Sequence, residues 1–303
     1  MNAMGRSIEK LLAVQHPRFC RGLRSLAWAT LALAMVACGD DGGAVDGAGP
    51  PADNTPATAV GETADPALGS DKAAAEQAGA AVAGRQDVVL AETGSVTGRV
   101  VFKGAATAPE PLSVFGDAFC MGLSQEGEGL LDESLMVSDG RLGNVFVWVS
   151  EGLDDWRFER ASGSVDLDQV GCAYTPHVVG LRKGEALRVI NSDPVLHNVH
   201  SVGQKNGDKN LAMPFQGQVV EMKLKRAETM VTVNCDVHAW MKCYIGVVDH
   251  PCFDVSASDG SFTLGSVPPG DYVVSLWHET LGVTEVPVTV EAKQTADLGE
   301  LSF

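Results

Sequence analysis

The pattern of apolar and polar positions predicts a series of short β-strands from residue 93 onward. Runs of alternating or β-branched apolar residues are separated by Gly, Pro, Asn and Asp, as strands and turns are. The predicted strands are SVTGRVVF (95–102), NVFVWV (144–149), ALRVI (186–190), MVTV (230–233), SFTL (261–264), YVVSL (272–276) and VPVTV (286–290). Since no long stretch has a helical period, the pattern predicts an all-β protein built from sandwiches or barrels.

The N-terminus has a different pattern. A basic region precedes a short apolar run, LAWATLALAMVA (26–37), which ends directly before Cys38. The run is shorter than the roughly 20 apolar residues that cross a bilayer. This arrangement resembles a bacterial lipoprotein signal peptide (1–37), which implies that Cys38 is acylated and anchors the mature chain to a membrane. An ordinary secretory signal or a short anchor helix is the alternative interpretation.

Residues 38–92 are rich in Ala, Gly, Asp, Pro and Thr and have few aromatic or large aliphatic residues. Such a segment buries too little apolar surface to offset the entropy of ordering. We expect a disordered tether that lets the folded part reach partners away from the membrane.

The net charge of the whole chain is −17. This charge argues against nucleic acid as a partner, because a nucleic-acid surface needs basic residues opposite the phosphates. It is compatible with steering of a basic partner and equally with solubility alone.

Two segments of the folded part carry a shared motif. GSVTGRVVFKG (94–104) and ASDGSFTLGSVPPGDYVVSLW (257–277) resemble the carboxypeptidase regulatory-like domain, a small transthyretin-like β-sandwich. The resemblance implies that 93–161 and 252–303 form this sandwich. We expect the block at 162–251 to be a second domain that is inserted into the first sandwich, with two sandwiches in series as the alternative.

The middle block contains a metal-ligand pattern. VNCDVHAWM (233–241) places Cys235, His238 and Met241 at C-x2-H-x2-M spacing, and INSDPVLHNVHS (190–201) supplies His197. One thiolate, two imidazoles and a weak thioether are a ligand set that suits copper. Zinc is the rival metal, but thioether is a poor zinc ligand.

YTPHVVGLRKGEALRVINSDPVLHNVHS (174–201) and VNCDVHAWMKCYIGVV (233–248) together resemble the plastocyanin and amicyanin group of cupredoxins. The resemblance implies a Greek-key β-sandwich over 162–251 with one type 1 (blue) copper. His197 and His238 would bind it through nitrogen, Cys235 through thiolate and Met241 axially. Asn198 would hydrogen-bond toward the cysteine loop.

Four other residues of this block and its borders each allow two interpretations. Trp240 either belongs to an apolar docking patch around an exposed imidazole or packs over the ligand loop. A second metal or proton-linked site from His177, His250 and His278 is one hypothesis, and ordinary polar residues at the domain junction are the other.

Five cysteines follow the predicted lipidation site, and an odd number leaves at least one outside intramolecular disulfides. We expect Cys235 to be that one. The pairs Cys120–Cys172 and Cys243–Cys252 are hypotheses, with a free Cys243 as the alternative.

The sequence shows no nucleophilic triad, paired catalytic carboxylates or phosphate loop, so we expect an electron carrier and not an enzyme. The electron would pass through the edge of His238, with the Cys235 path as the alternative. The expected partner is a c-type cytochrome or a periplasmic oxidoreductase, and the expected location is the periplasmic side of the envelope, with the outer membrane favoured. Copper delivery without a redox role, a surface module, and a subunit of a larger oxidoreductase are the alternatives.

Overall fold

The computed structural model describes residues 84–105, 108–127 and 129–303. Its strands in chain order are β1 (Gln86–Asp87), β2 (Gly94–Val101), β3 (Val137–Ser138), β4 (Arg141–Leu142), β5 (Phe146–Glu151), β6 (Trp156–Arg157), β7 (Ser164–Val170), β8 (Ala173–Thr175), β9 (Val178–Arg182), β10 (Ala186–Asn191), β11 (His197–Gly203), β12 (Gly207–Met213), β13 (Gln218–Lys223), β14 (Glu228–Asn234), β15 (Lys242–Val248), β16 (Phe253–Val255), β17 (Ser261–Val267), β18 (Gly270–His278), β19 (Gly282–Val290) and β20 (Thr295–Ser302). The helices are α1 (Ala118–Ser124) and a 3-10 turn (Leu90–Glu92).

The prediction of an all-β protein is confirmed, and each of the seven predicted strands overlaps an observed one. None of the helices that the structure describes is long and apolar enough to cross a membrane. The predicted signal peptide, the predicted lipidation site Cys38 and the tether up to residue 83 lie outside the described residues.

The part of the predicted tether that is described, 84–92, differs from the prediction of disorder. β1 pairs in parallel with β6, with Gln86 opposite Trp156 and Asp87 opposite Arg157. An ion pair of 2.8 Å between Arg157 and Asp87 adds to this pairing. The ordered chain therefore begins earlier than residue 93.

One β-sandwich spans β7 to β15, and we call it the metal-site sandwich. Its first sheet has the order β13-β10-β7-β8 and its second the order β12-β11-β14-β15-β9. Inward-facing aliphatic side chains of the two sheets, such as Leu167, Leu187, Val231 and Ile245, are fully buried between them. This burial, at roughly 25 cal/mol per Å² of apolar surface, stabilises the sandwich.

A second sandwich, here the outer sandwich, consists of the sheets β16-β5-β18-β19 and β17-β2-β4-β3, with β20 also paired to β2. β2 lies before the metal-site sandwich in the chain, whereas β17 and β20 follow it. Because β2 pairs with both of them, the two flanking segments belong to one sheet. A separate core that includes Val96, Val147, Leu264 and Leu276 fills this sandwich.

The two sandwiches contact each other through aromatic rings that lie on a pair of glycines. Gly180 of β9 and Gly246 of β15 are opposite each other in the sheet. A Cβ on Gly246 would lie 2.3 Å from Phe146, and one on Gly180 would lie 2.4 Å from Phe253. Only glycine therefore permits this approach of the outer sandwich.

Candidate metal centre

The structure brings the four predicted ligands to one end of the metal-site sandwich. His197 begins β11, Cys235 directly follows β14, and His238 and Met241 lie in the turn before β15. β14 is antiparallel to both of its neighbours. The start of β11, the end of β14 and the start of β15 therefore lie at the same end of the sheet. All four side chains are at most 2% exposed.

The imidazoles and the thiol converge. The Nδ1 atoms of His197 and His238 are 2.9 Å apart, and Nδ1 of His238 is 3.8 Å from Sγ of Cys235. One donor atom from each of these three residues lies within 4.8 Å of the others. Ligand atoms that share one ion at about 2.0–2.3 Å are separated by about 3–4 Å, and these distances agree with that spacing.

Backbone hydrogen bonds close the loop that carries three of these residues. The N–H of Met241 donates to the carbonyl of His238 over 2.9 Å, and the N–H of Cys235 donates to the carbonyl of Met241 over 3.1 Å. Both residues with sulfur also belong to the core of the metal-site sandwich. The loop is therefore held in place by the sandwich itself.

The outer edge of His197 is oriented by a buried carboxylate. Nε2 of His197 lies 3.0 Å from Oδ2 of Asp193, and the same carboxylate accepts the N–H groups of Gly171 and Cys172, each over 2.8 Å. Because a carboxylate only accepts, Nε2 of His197 carries a hydrogen, and Nδ1 is the nitrogen that faces the site. Such a contact fixes the tautomer of a metal-binding imidazole.

The electrostatics of the metal-free pocket indicate that it favours positive charge. Burial lowers the pKa of His197, but the Asp193 carboxylate and the Cys235 thiol outweigh it and raise the pKa to about 9. Burial and the neighbouring charge of His197 lower the pKa of His238. In the metal-free pocket His197 therefore holds a proton between the two rings. A bound metal cation would take the place of that proton.

Hydrogen bonds favour the thiolate of Cys235. Burial raises its pKa, but the hydrogen bond with His197 and the backbone N–H groups of Asn198, His238 and Val237 lower it overall. The side chain of Asn198 contacts the cysteine loop as well, since its Oδ1 accepts the N–H of Asp236 over 2.7 Å.

The outer edge of His238 differs from the expectation of an exposed imidazole. His238 is 2% exposed, and its Nε2 lies 3.9 Å from Sγ of Cys120. Cys120 belongs to α1 and forms a disulfide with Cys172. The expectation of an exposed imidazole is therefore wrong, because the Cys120–Cys172 disulfide lies over that edge. The route of the electron through His238 stays a prediction.

We call residues 108–135, of which 128 is not described, the cover segment. Asp117 caps α1 by accepting the N–H groups of Phe119 and Cys120 over 2.8 and 3.1 Å. The domain boundaries derived from the sequence assign this segment to the outer sandwich, yet the disulfide joins it to the metal-site sandwich.

Trp240 packs over the ligand loop and remains partly exposed. Its indole N–H donates to the carbonyl of Cys172 over 3.0 Å, and its ring lies 5.0 Å from that of His238. The ring of Phe115 in the cover segment contacts Trp240 edge-on at 5.8 Å. Trp240 therefore connects the imidazole to the surface of the cover segment.

Two predictions about cysteine and histidine pairs need correction. Cys243 and Cys252 are free and buried, because each lies in the core of a different sandwich. The possible second site from His177, His250 and His278 is not formed among the described residues. Instead, His177 bonds to Glu279, His278 accepts the N–H of Thr280, and His250 accepts the N–H of Cys252.

The donor set fits copper on chemical grounds. Two imidazoles, of which His197 must release its inner proton, and a thiolate with a lowered pKa provide three good ligands. The thioether of Met241 in the same loop suits copper better than zinc. Sequence reasoning missed Asp193 and the contact of Cys120 with His238. Of these two, only Asp193 could have been found from the sequence, since it precedes the predicted ligand His197 by four residues.

No protein-family model matches the chain, and no curated protein matches it. Among solved structures, a Cu(I) form of an amicyanin mutant is 21% identical, with 28% of this chain and 81% of that chain covered and a TM-score of 0.25. A reduced amicyanin mutant at pH 4 is 24% identical, with 29% and 86% covered and a TM-score of 0.26. A Cu-containing nitrite reductase from Thermus scotoductus SA-01 is 18% identical, with 28% and 22% covered and a TM-score of 0.25.

Proposed function

We propose that this chain is a cupredoxin-type copper protein that carries single electrons at the periplasmic side of a bacterial envelope. The observation that carries the proposal is the convergence of two imidazole Nδ1 atoms on a buried thiol. Met241 is buried in the same loop. His197, Cys235, His238 and Met241 would hold the ion.

Bound copper supplies a one-electron couple between Cu(II) and Cu(I). The chain contributes a pocket whose ligand side chains are held in place when the charge of the copper ion changes. Asp193 fixes the ring of His197, the disulfide lies against the ring of His238, and backbone N–H groups point at the sulfur of Cys235. These contacts stabilise one ligand geometry in both oxidation states.

Burial of the ligands favours a carrier over copper delivery. Transfer of a metal ion between proteins requires an incoming ligand to reach the site, whereas all four side chains are almost fully inaccessible. An electron can cross the protein matrix without such access. We therefore place delivery second, and we expect no substrate chemistry at a site whose ligand positions are filled by side chains.

The proposal includes the expectations for partner and location. A c-type cytochrome or a periplasmic oxidoreductase would exchange the electron. The acylated Cys38 would anchor the chain, with the outer membrane favoured. The outer sandwich, with its carboxypeptidase regulatory-like motif, would support the metal-site sandwich through the contact at Gly180 and Gly246.

A visible absorption spectrum of the Cu(II)-loaded protein tests the assignment. We expect an intense thiolate-to-copper band, and we expect Cys235→Ser to abolish it. Cys243→Ser is a matched control, because Cys243 is also buried and free but is not grouped with the two histidines. A protein with only weak copper bands would reject the carrier and leave metal delivery, which transfer of Cu(I) to a chelating protein would measure.

A further inference from the structure

Because the outer edge of His238 is covered, a redox partner must dock on another surface. Cys120 and Cys172 are both fully buried, so neither the imidazole nor the disulfide is a contact surface. We propose that the outer face of the cover segment is the docking surface for a small basic one-electron protein, an inference that rests on the proposed electron-carrier function.

Two large apolar side chains of the cover segment are exposed. Phe115 is 63% exposed and Met121 is 39% exposed. Aromatic residues and Met are enriched where protein surfaces form interfaces, and a transient redox interface needs only a small area. Phe115 and Met121 are therefore the apolar side chains that this segment offers to a partner.

Aromatic contacts connect Phe115 to the site. Phe115 contacts Trp240 at 5.8 Å between ring centres, and Trp240 lies 5.0 Å from His238. A partner that binds on Phe115 is separated from the imidazole by two packed rings, those of Phe115 and Trp240. This short path matters because the rate of electron tunnelling falls steeply with distance.

The negative charge of the cover segment favours a positively charged partner. Residues 108–135 contain six acidic residues and no Lys, Arg or His. Glu110, Glu126, Asp132 and Glu133 are exposed. A surface of one sign attracts a partner of the opposite sign and raises the association rate at low salt. A haem protein with lysines around its exposed haem edge has the complementary surface.

The face is also pre-ordered. The Cys120–Cys172 disulfide and the contact of Phe115 with Trp240 hold it against the metal-site sandwich. Within the segment, Asp117 caps α1. Binding to a pre-ordered surface avoids the entropy cost of ordering a loop. The ferric haem of the partner would gain one electron as a reduced site in this chain is oxidised by one electron, and no bond or proton changes place.

The test measures binding of the metal-free full chain to ferric mitochondrial cytochrome c, a basic haem protein, by calorimetry at low ionic strength. We expect Phe115→Ala and Glu126→Lys each to weaken association by about fivefold or more, as for a residue worth over 1 kcal/mol. We also expect added salt to weaken the binding of the wild-type chain.

Two matched controls define the location. Phe215 is 71% exposed and lies outside the cover segment, and Glu285 is an exposed acid on β19. Phe215→Ala and Glu285→Lys are expected to leave the dissociation constant within about twofold, since the affinity depends on few residues. Loss of binding in Phe215→Ala alone, an equal loss in Glu285→Lys, or no binding by the wild-type chain would each overturn the proposal.

Because this readout uses no copper, it is independent of the spectrum that tests the proposed function. A blue protein that does not bind through Phe115 would retain the carrier and reject the docking surface. A colourless protein that binds through Phe115 would reject the carrier. Reduction of cytochrome c by the copper-loaded variants should then follow the same order as their binding.

Discussion

The Nδ1 atoms of His197 and His238 lie 2.9 Å apart, and the Nε2 atom of each ring has a partner of its own. Asp193 accepts from His197, and the sulfur of Cys120 lies next to His238. In the metal-free pocket the raised pKa of His197 keeps a proton between the two inner nitrogens, and without that proton two lone pairs would face each other. A cation between the rings removes this repulsion, so the outer partners of the imidazoles favour metal at the inner side.

Replacement of Asp193 by asparagine should weaken copper binding. The variant loses the carboxylate that fixes the tautomer of His197, although Asn occupies nearly the same volume. Loss of such an orienting contact reduces metal affinity by about 10–100-fold. Competition with a chromogenic Cu(I) chelator measures the change.

Asp208→Asn is the matched control for Asp193→Asn, because Asp208 also pairs with a histidine, His200, at 2.9 Å but lies on the exposed strand β12. We expect its copper affinity to stay unchanged. Equal affinities for the two variants would show that Asp193 has no orienting role.

The cysteine assignment can be measured by alkylation and peptide mass spectrometry of the metal-free protein. After denaturation without reductant, peptides with Cys235, Cys243 and Cys252 should be labelled, because these thiols are free. Cys120 and Cys172 should be labelled only after reduction. In the native protein, burial should protect all three thiols. A disulfide-linked peptide that contains Cys243 and Cys252 would contradict the structure.

The contact between the sandwiches should not tolerate a methyl group at Gly246. The added Cβ would lie 2.3 Å from Phe146, and both residues belong to packed sheets. Overpacking of this kind costs about 1–3 kcal/mol, which denaturant unfolding of the metal-free protein measures.

Gly265→Ala is the control for Gly246→Ala, since a Cβ on Gly265 meets nothing within 4 Å. The control should unfold like the wild type. If Gly246→Ala were equally stable, Phe146 would have to move away from β15, and the contact would be less rigid than the structure indicates.

The strands and the ligand set could be predicted because both are local patterns. Alternating apolar residues define β10 and β14, and the C-x2-H-x2-M spacing places Cys235, His238 and Met241 in one loop. These features depend on residues that are close in sequence, or on a resemblance carried by contiguous motifs.

The cover segment could not be predicted, because its position depends on contacts across long separations. α1 has only seven residues, too few to give a helical period. Its contact with His238 joins residues 118 positions apart. The burial of Cys243 and Cys252 in separate cores is likewise a tertiary property, since their spacing alone permits a disulfide.

Acid should destabilise the protein through His250 and His278. Both side chains are buried, and burial lowers the pKa of each to about 4, below the value of about 6.5 in an unfolded chain. The neutral form is favoured in the folded state, so their contribution is complete above pH 6.5 and is lost as the pH falls from 6.5 toward 4. Each histidine accounts for about 2–3 kcal/mol of this loss.

Denaturant unfolding of the metal-free protein at pH 7 and pH 4.5 measures this loss. We expect the difference between the two pH values to be smaller by about 2 kcal/mol in His250→Gln and in His278→Gln, because glutamine does not titrate in this range. The double variant should show about the sum of the two reductions, since the two histidines have separate hydrogen-bond partners. If the pH dependence of the variants equalled that of the wild type, the two buried histidines would titrate normally, and their pockets would have to admit water.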